Sequence, residues 1–220
     1  MENKPEKMGV VPSGFRGCRI IWINGAFGSG KTQTAWELHR RIPGSYVFDP
    51  ENAGYYIRAN LPDSLQMGDF QEFALWRSFN YDMLSYLADR HDGVLLVPMT
   101  VTDPHKFAEI AGRLRSDGRD LRHYALLASE GELLRRLRSR GEGRRSWAAA
   151  QIGRCVRDLK QDAFAEQLDT EQWSVAETAE RIAALAGLEL LPRSGRASGA
   201  WSRLQTKLLH VRWQKGLGRK

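Results

Sequence analysis

The chain has 220 residues, 42% of them hydrophobic and 27% charged, which is ordinary for a soluble globular protein and enough for one α/β domain with a sizeable core. No run approaches the roughly 18 apolar residues of a membrane-spanning helix. The start of the chain lacks a signal-peptide apolar stretch, and two cysteines, Cys18 and Cys155, are too few for a disulfide framework. An intracellular, cytoplasmic protein with reduced thiols is expected. The net charge of +7 is unevenly placed: eight of the 33 Lys/Arg and none of the 26 Asp/Glu follow Leu191, leaving 25 basic and 26 acidic residues before it. The expected organisation is a flexible leader (1–18), a near-neutral domain (19–191), and a basic linker and tail (192–220).

Apolar runs alternate with helical patterns along the chain. "CRIIWIN" is a short apolar run ending at a glycine turn and predicts a buried strand. A helix is expected from Lys31 to about Arg41, stopping before Pro43-Gly44. "SYVFDPE" predicts a second strand ending on acids. In "FALWRSFNYDMLSYLADRH", Leu75, Phe79, Met83 and Leu87 fall on one helical face. "GVLLVPMT" predicts a third buried strand. Asp103-Pro104 reads as an N-cap with proline at the first helical position, opening a helix to about Ser116. "RHYALLAS" predicts a fourth strand; Ser129 with Glu132 fits a capping box before "ELLRRLRSR". Another helix begins near Trp147, "AEQLDT" predicts a short fifth strand, and Ser174 with Glu177 is a second capping box. Strands separated by helices imply right-handed crossovers and a parallel sheet with helices on both faces.

The stretch Gly25-Ala26-Phe27-Gly28-Ser29-Gly30-Lys31-Thr32 matches G-x-x-x-x-G-K-[ST], between a predicted strand and a predicted helix. Glycines let successive N–H groups converge on phosphate oxygens, and the helix adds the positive end of its dipole. Lys31 is expected to reach the β- and γ-phosphates of ATP and Thr32 to hold Mg²⁺. Gly25, Phe27, Gly28, Ser29 and Gly30 supply the rest of the cradle.

This organisation resembles the P-loop kinases of small molecules, such as shikimate, gluconate and nucleoside-monophosphate kinases. The implied fold is a nucleoside-monophosphate-kinase-like, five-stranded parallel sheet with a helical lid. More particularly, "IIWINGAFGSGKTQTAWELHRRIPGSYVFDPE", "LWRSFNY", "VPMT" and "RSWAAAQIGRCV" together are similar to the bacterial ATP-binding tunicamycin resistance proteins. The resemblance spans roughly residues 19 to 190. Tunicamycin is a nucleoside antibiotic with sugar groups and a fatty acyl chain, mimicking a nucleotide-sugar. Phosphorylation of the drug is the chemistry the resemblance implies; binding without modification is the other proposal it carries, and a kinase for another nucleoside, sugar or nucleic-acid acceptor is the remaining alternative.

In open parallel sheets, ligands sit at the carboxyl ends of the strands. Asp49, with Glu51 in reserve, is therefore expected to face the acceptor hydroxyl and Mg²⁺; similarity to shikimate-type kinases favours Asp49 as the orienting or proton-accepting group. The alternative is that Asp49 only caps the next helix. Strand three ends in Pro98 where many P-loop enzymes have a magnesium-associated Asp. Thr100 stands just beyond, as site lining or as a cap. Arg77, with Asn80, Tyr81 and neighbouring aromatics, is expected to grip a nucleotide-sugar mimic, or else to pair with a surface acid on an amphipathic core helix. The arginine-rich segment 135–157 looks like the lid of small-molecule kinases, with Arg136, Arg140 and Arg154 as the charge-neutralising groups and Gly141 and Gly143 at the tip.

In the tail, Trp201, Leu204, Leu208 and Val211 lie opposite Arg203, Lys207 and His210, a basic amphipathic pattern suited to the plane of an anionic membrane surface. A helix packed back on the domain is the alternative. Nucleic acid is disfavoured because the basic residues lack regularly interleaved aromatics.

Overall fold

A computed structural model describes residues 17–143 and 146–193. Nearly all of the expected leader and the whole amphipathic tail lie outside the described residues. Five parallel strands, β1 (Cys18–Gly25), β2 (Tyr46–Val47), β3 (Gly93–Pro98), β4 (Asp120–Leu127) and β5 (Gln167–Asp169), form one sheet in the order β2-β3-β1-β4-β5. The connecting helices are α1 (Lys31–Arg41), α2 (Glu51–Ala59), α3 (Ala74–Arg90), α4 (Pro104–Phe107), α5 (Arg113–Ser116), α6 (Glu130–Arg138), α7 (Trp147–Asp158) and α8 (Val175–Ala186). Among the described residues no helix is long and apolar enough to cross a membrane.

The central strand β1 is covered on both faces, which is why it reads as an unbroken apolar run rather than an alternation. Ile20 and Trp22 point into one layer with Leu95, Val97, Trp76 and Leu84; Ile21 and Ile23 point into the other with Leu38, Leu96 and Ile182. Each fully buried aliphatic or aromatic side chain of this kind contributes about 1.5–3 kcal/mol relative to exposure. Helices α1 and α8 therefore lie on one face of the sheet and α2 and α3 on the other. A third, smaller apolar cluster joins Ala26 of the phosphate loop to Leu133 and Leu137 of α6 and to Ile152 and Cys155 of α7. The base of the arginine-rich segment is thus packed against the loop.

The expected caps form. Asp103 accepts from the His105 and Lys106 amides, and Ser174 and Glu177 make a full capping box. Ser129 accepts from the Glu132 amide, but the Glu132 carboxylate turns to Arg135 and Arg136 instead of closing the box.

Four features differ from the sequence expectation. Strand β2 is only two residues long; the Phe48 amide makes one more ladder bond, to Leu96 O at 2.9 Å, before the chain turns at Asp49. Helix α2 follows at once and was not anticipated, because Gly54 interrupts its periodicity; a Cβ there would run into the Phe70 ring. The helix expected from Pro104 to Ser116 is split by a π-turn, Ala108–Gly112. Finally, α3 buries Trp76, Asn80 and Leu84, whereas Leu75 and Phe79, expected on its apolar face, are 59% and 45% exposed.

Candidate functional site

The phosphate loop is built as its motif requires. Gly28 and Gly30 have φ of 84° and 91°, in the left-handed region open to glycine. A Cβ on Gly28 would also lie 2.9 Å from the Leu133 carbonyl oxygen, so α6 fixes how closely the loop approaches it. Gly30 caps α1 without a side-chain hydrogen bond, and no acid stands in the first turn. The positive end of this helix is left open for an anion.

Lys31 is buried, and its ammonium lies 5.3 Å from the centre of the Phe27 ring. No hydrogen bond or ion pair engages it among the described residues. Burial pushes its pKa below the ordinary lysine value; the Glu51 charge opposes this most strongly, Arg140 adds to it, and Asp49 acts more weakly than Glu51. A buried cation without a partner is costly, so the arrangement calls for an anion. The Ser29 hydroxyl is buried without a partner among the described residues. An unengaged lysine, a free hydroxyl, an open helix end and glycine clearance fit a polyphosphate. Thr32 follows Lys31 in the first turn of α1, beside the same opening.

A buried network holds the loop in register. Asn24 Oδ1 accepts from the Gly25 amide at 2.8 Å and the Val101 amide at 3.0 Å, while Asn24 Nδ2 donates to Val101 O at 2.8 Å. The Thr100 hydroxyl donates to Gly25 O at 2.7 Å. His123 completes the network: its Nδ1 faces the Ala165 carbonyl at 3.1 Å and must carry the proton, so Nε2 accepts from Asn24 Nδ2 at 3.2 Å. Burial pushes the His123 pKa down to about 4, keeping the ring neutral. The sequence offered no signal for Asn24 or His123, which were missed: their roles depend on contacts with the distant Val101 and Ala165.

Beside the loop lies a cleft of about 250 Å³, lined by Phe27, Asp69, Thr100, Thr102, Trp147 and Arg154 among others. Phe27 and Trp147 meet edge to face, ring centres 5.1 Å apart. Arg154 reaches the cleft from α7 and donates to the Thr102 hydroxyl at 3.3 Å. Arg140 approaches α1 through Gln33 Oε1 at 3.5 Å and is close enough to depress Lys31. Arg136 is differently engaged: it pairs with Glu132 at 2.6 Å and donates to Thr170 O at 2.7 Å, tying α6 to the turn after β5. Gly141 has a φ of 86°, in keeping with a bend at the tip.

The structure does not bring Arg77, Asn80 and Tyr81 into this cleft. Arg77 pairs with Glu109 at 2.6 Å and donates to the carbonyls of Gln71 and Glu72. Asn80 is buried and donates to Trp76 O. The Tyr81 hydroxyl donates to Asp117 at 2.6 Å, with the Arg113 guanidinium 3.6 Å above its ring. Arg77 thus has the acid partner named in the amphipathic-core alternative. Asp49 accepts from the Glu51 amide at 3.0 Å in the turn into α2, whose N-cap is Pro50. Glu51, which accepts from the Tyr55 hydroxyl at 3.1 Å, is the acid that acts more strongly on Lys31. Asp69, Thr102 and Trp147 were missed as cleft residues: Asp69 and Thr102 sit in loops, and Trp147 marked only a helix start.

The family described as AAA domain matches residues 20–163. No curated protein sequence matches. Among solved structures, the tunicamycin resistance protein of Deinococcus radiodurans is 34% identical, with a TM-score of 0.68, over 80% of this chain and 99% of that one. The chain belongs to the tunicamycin resistance family, within the AAA-domain P-loop proteins. The APS kinase of Mycobacterium tuberculosis is 19% identical over 78% of this chain and 98% of its own, with a TM-score of 0.56. A shikimate kinase from Bacteroides thetaiotaomicron is 16% identical over 77% and 99%, with a TM-score of 0.51. These two establish a shared kinase-like fold. A member of the tunicamycin resistance family with this loop is a kinase-like, nucleotide-binding protein.

Proposed function

We propose that the protein binds Mg-ATP and transfers the γ-phosphoryl group to a hydroxyl of tunicamycin or a related nucleotide-sugar-like antibiotic. The observation that carries this reading is Lys31, buried and without an anion partner at the open end of α1, beside the cleft that Arg154 enters. In the transfer, the acceptor O–H gives up its proton as oxygen bonds to phosphorus, and the bond from phosphorus to the ADP oxygen breaks. Lys31 and the loop amides hold the β- and γ-phosphates. Arg154, with Arg140, neutralises charge on the transferring group. Glu51, the acid that acts more strongly on Lys31, takes the proton, and Asp49 borders the acceptor. Arg136 supports the lid from below. Magnesium would supply charge neutralisation, and Thr32 is the residue that would hold it.

Pro98 at the end of β3 favours a second reading, in which the drug is gripped in an ATP-dependent complex without transfer. Mass spectrometry of tunicamycin incubated with protein, Mg²⁺ and ATP separates the two, with Lys31→Ala as control. Kinase activity adds one phosphate to the drug, lost on the order of a hundredfold or more in the variant. Unchanged drug whose binding still needs ATP supports the second reading.

A further inference from the structure

Outside the cleft, the edge of the sheet carries a larger and quite different depression. Strand β2, helix α2 and helix α3 enclose a groove of about 640 Å³ whose walls include Tyr46, Phe48, Tyr56, Leu75, Phe79 and Met83. Tyr46, Tyr56, Leu75 and Phe79 are each 45–65% exposed. On α3 the stripe recurs every fourth residue, Leu75, Phe79, Met83 and Leu87, which makes an apolar wall about 18 Å long. Contiguous apolar surface of this kind marks a binding site more often than a bare protein surface. Asp49, just beyond the carboxyl end of β2, also lines the groove, so one end of the groove opens at the strand ends, where ligands of open parallel sheets sit.

We propose that this groove holds the acyl chain of the phosphoryl acceptor, laid along α3 while the polar head turns past Asp49 toward the phosphate loop. The inference rests on the acceptor reading above. An elongated, open, apolar channel of aromatic and methionine side chains, with the Asp49 carboxylate in its lining, matches an amphiphile with a single chain. The chain's own basic tail is the less favoured occupant: the last described residue, Arg193, is tied to Glu180 of α8, on the opposite face of the sheet.

The test uses the full chain labelled with ¹³C in the methionine methyls, with tunicamycin, its shorter-chain homologues and the deacylated drug as probes. The Met83 methyl resonance shifts with the acylated drug and not with the deacylated one. Affinity falls by up to roughly fourfold for each methylene removed. Phe79→Ser flattens this dependence and Phe79→Leu restores it, while affinity for a fluorescent ATP analogue stays as in the wild type. A Met83 shift with the acylated drug but no phosphate gain keeps the groove and removes the kinase reading. Equal phosphorylation of acylated and deacylated drug, with Met83 unmoved, keeps the kinase and overturns the groove. The groove assignment is also overturned if Met83 responds only to anionic phospholipid vesicles, only to deletion of residues 194–220, or only to a rise in protein concentration. Those outcomes assign it to a membrane, to the tail and to a second copy of the chain, respectively.

Discussion

Helix α3 has two apolar sides that do different work. One side, Trp76 and Leu84 with the buried Asn80, is sealed against β1 and β3, and the Trp76 indole donates to Pro50 O at 2.9 Å. The other, Leu75, Phe79 and Met83, faces an open groove. Apolar spacing along a helix says that a face avoids water in some state of the protein; it does not say whether a sheet or a ligand covers it.

Substitutions on the two sides should separate cleanly. Trp76→Ala removes a fully buried side chain and is expected to cost about 3–5 kcal/mol in urea denaturation. If it costs under 1 kcal/mol, the inner side is not core.

The buried network beneath the loop should respond to pH. His123 falls from 6.5 to about 4 on folding, so the unfolded chain binds more protons between those values, and stability rises with pH across that window. The contribution is complete above about pH 6.5 and is lost as pH falls toward 4. It amounts to about 3 kcal/mol at most. Urea melts at pH 7 and pH 4.5 check it, and His123→Phe should flatten the slope.

Arg77→Met tests the sorting of α3 residues into packing rather than substrate contact. It is expected to cost about 1–2 kcal/mol of stability through the lost Glu109 pair and carbonyl bonds, with acceptor KM unchanged. A tenfold rise in KM without loss of stability would return Arg77 to the acceptor site. Smallest of all, Leu75→Ser on the groove side is expected to change stability by about 0.5 kcal/mol or less.

What was legible in the sequence was local. The loop from Gly25 to Thr32, the buried strands β1 and β3 and the Asp103 and Ser174 caps are set by residues close together in the chain, and each carries a local signature. The acceptor side is set by contacts between distant segments. Whether Arg77 grips a ligand depends on Glu109, 32 residues away, and the service of Asn24 to the loop depends on Val101, 77 residues away. Helix α2 was hidden because its glycine belongs to the Phe70 contact rather than to a turn. Between Asp49 and Glu51, strand-end position does not decide: Asp49 accepts from the Glu51 amide and Glu51 from the Tyr55 hydroxyl.

The short edge of the sheet has a consequence of its own. Strand β2 offers two residues of ladder at one border and β5 three at the other. A passing strand finds almost no free main-chain donors and acceptors to copy, so intermolecular sheet growth lacks a template at either end. The apolar groove beside β2 can stay open to water without turning that border into a nucleus for aggregation.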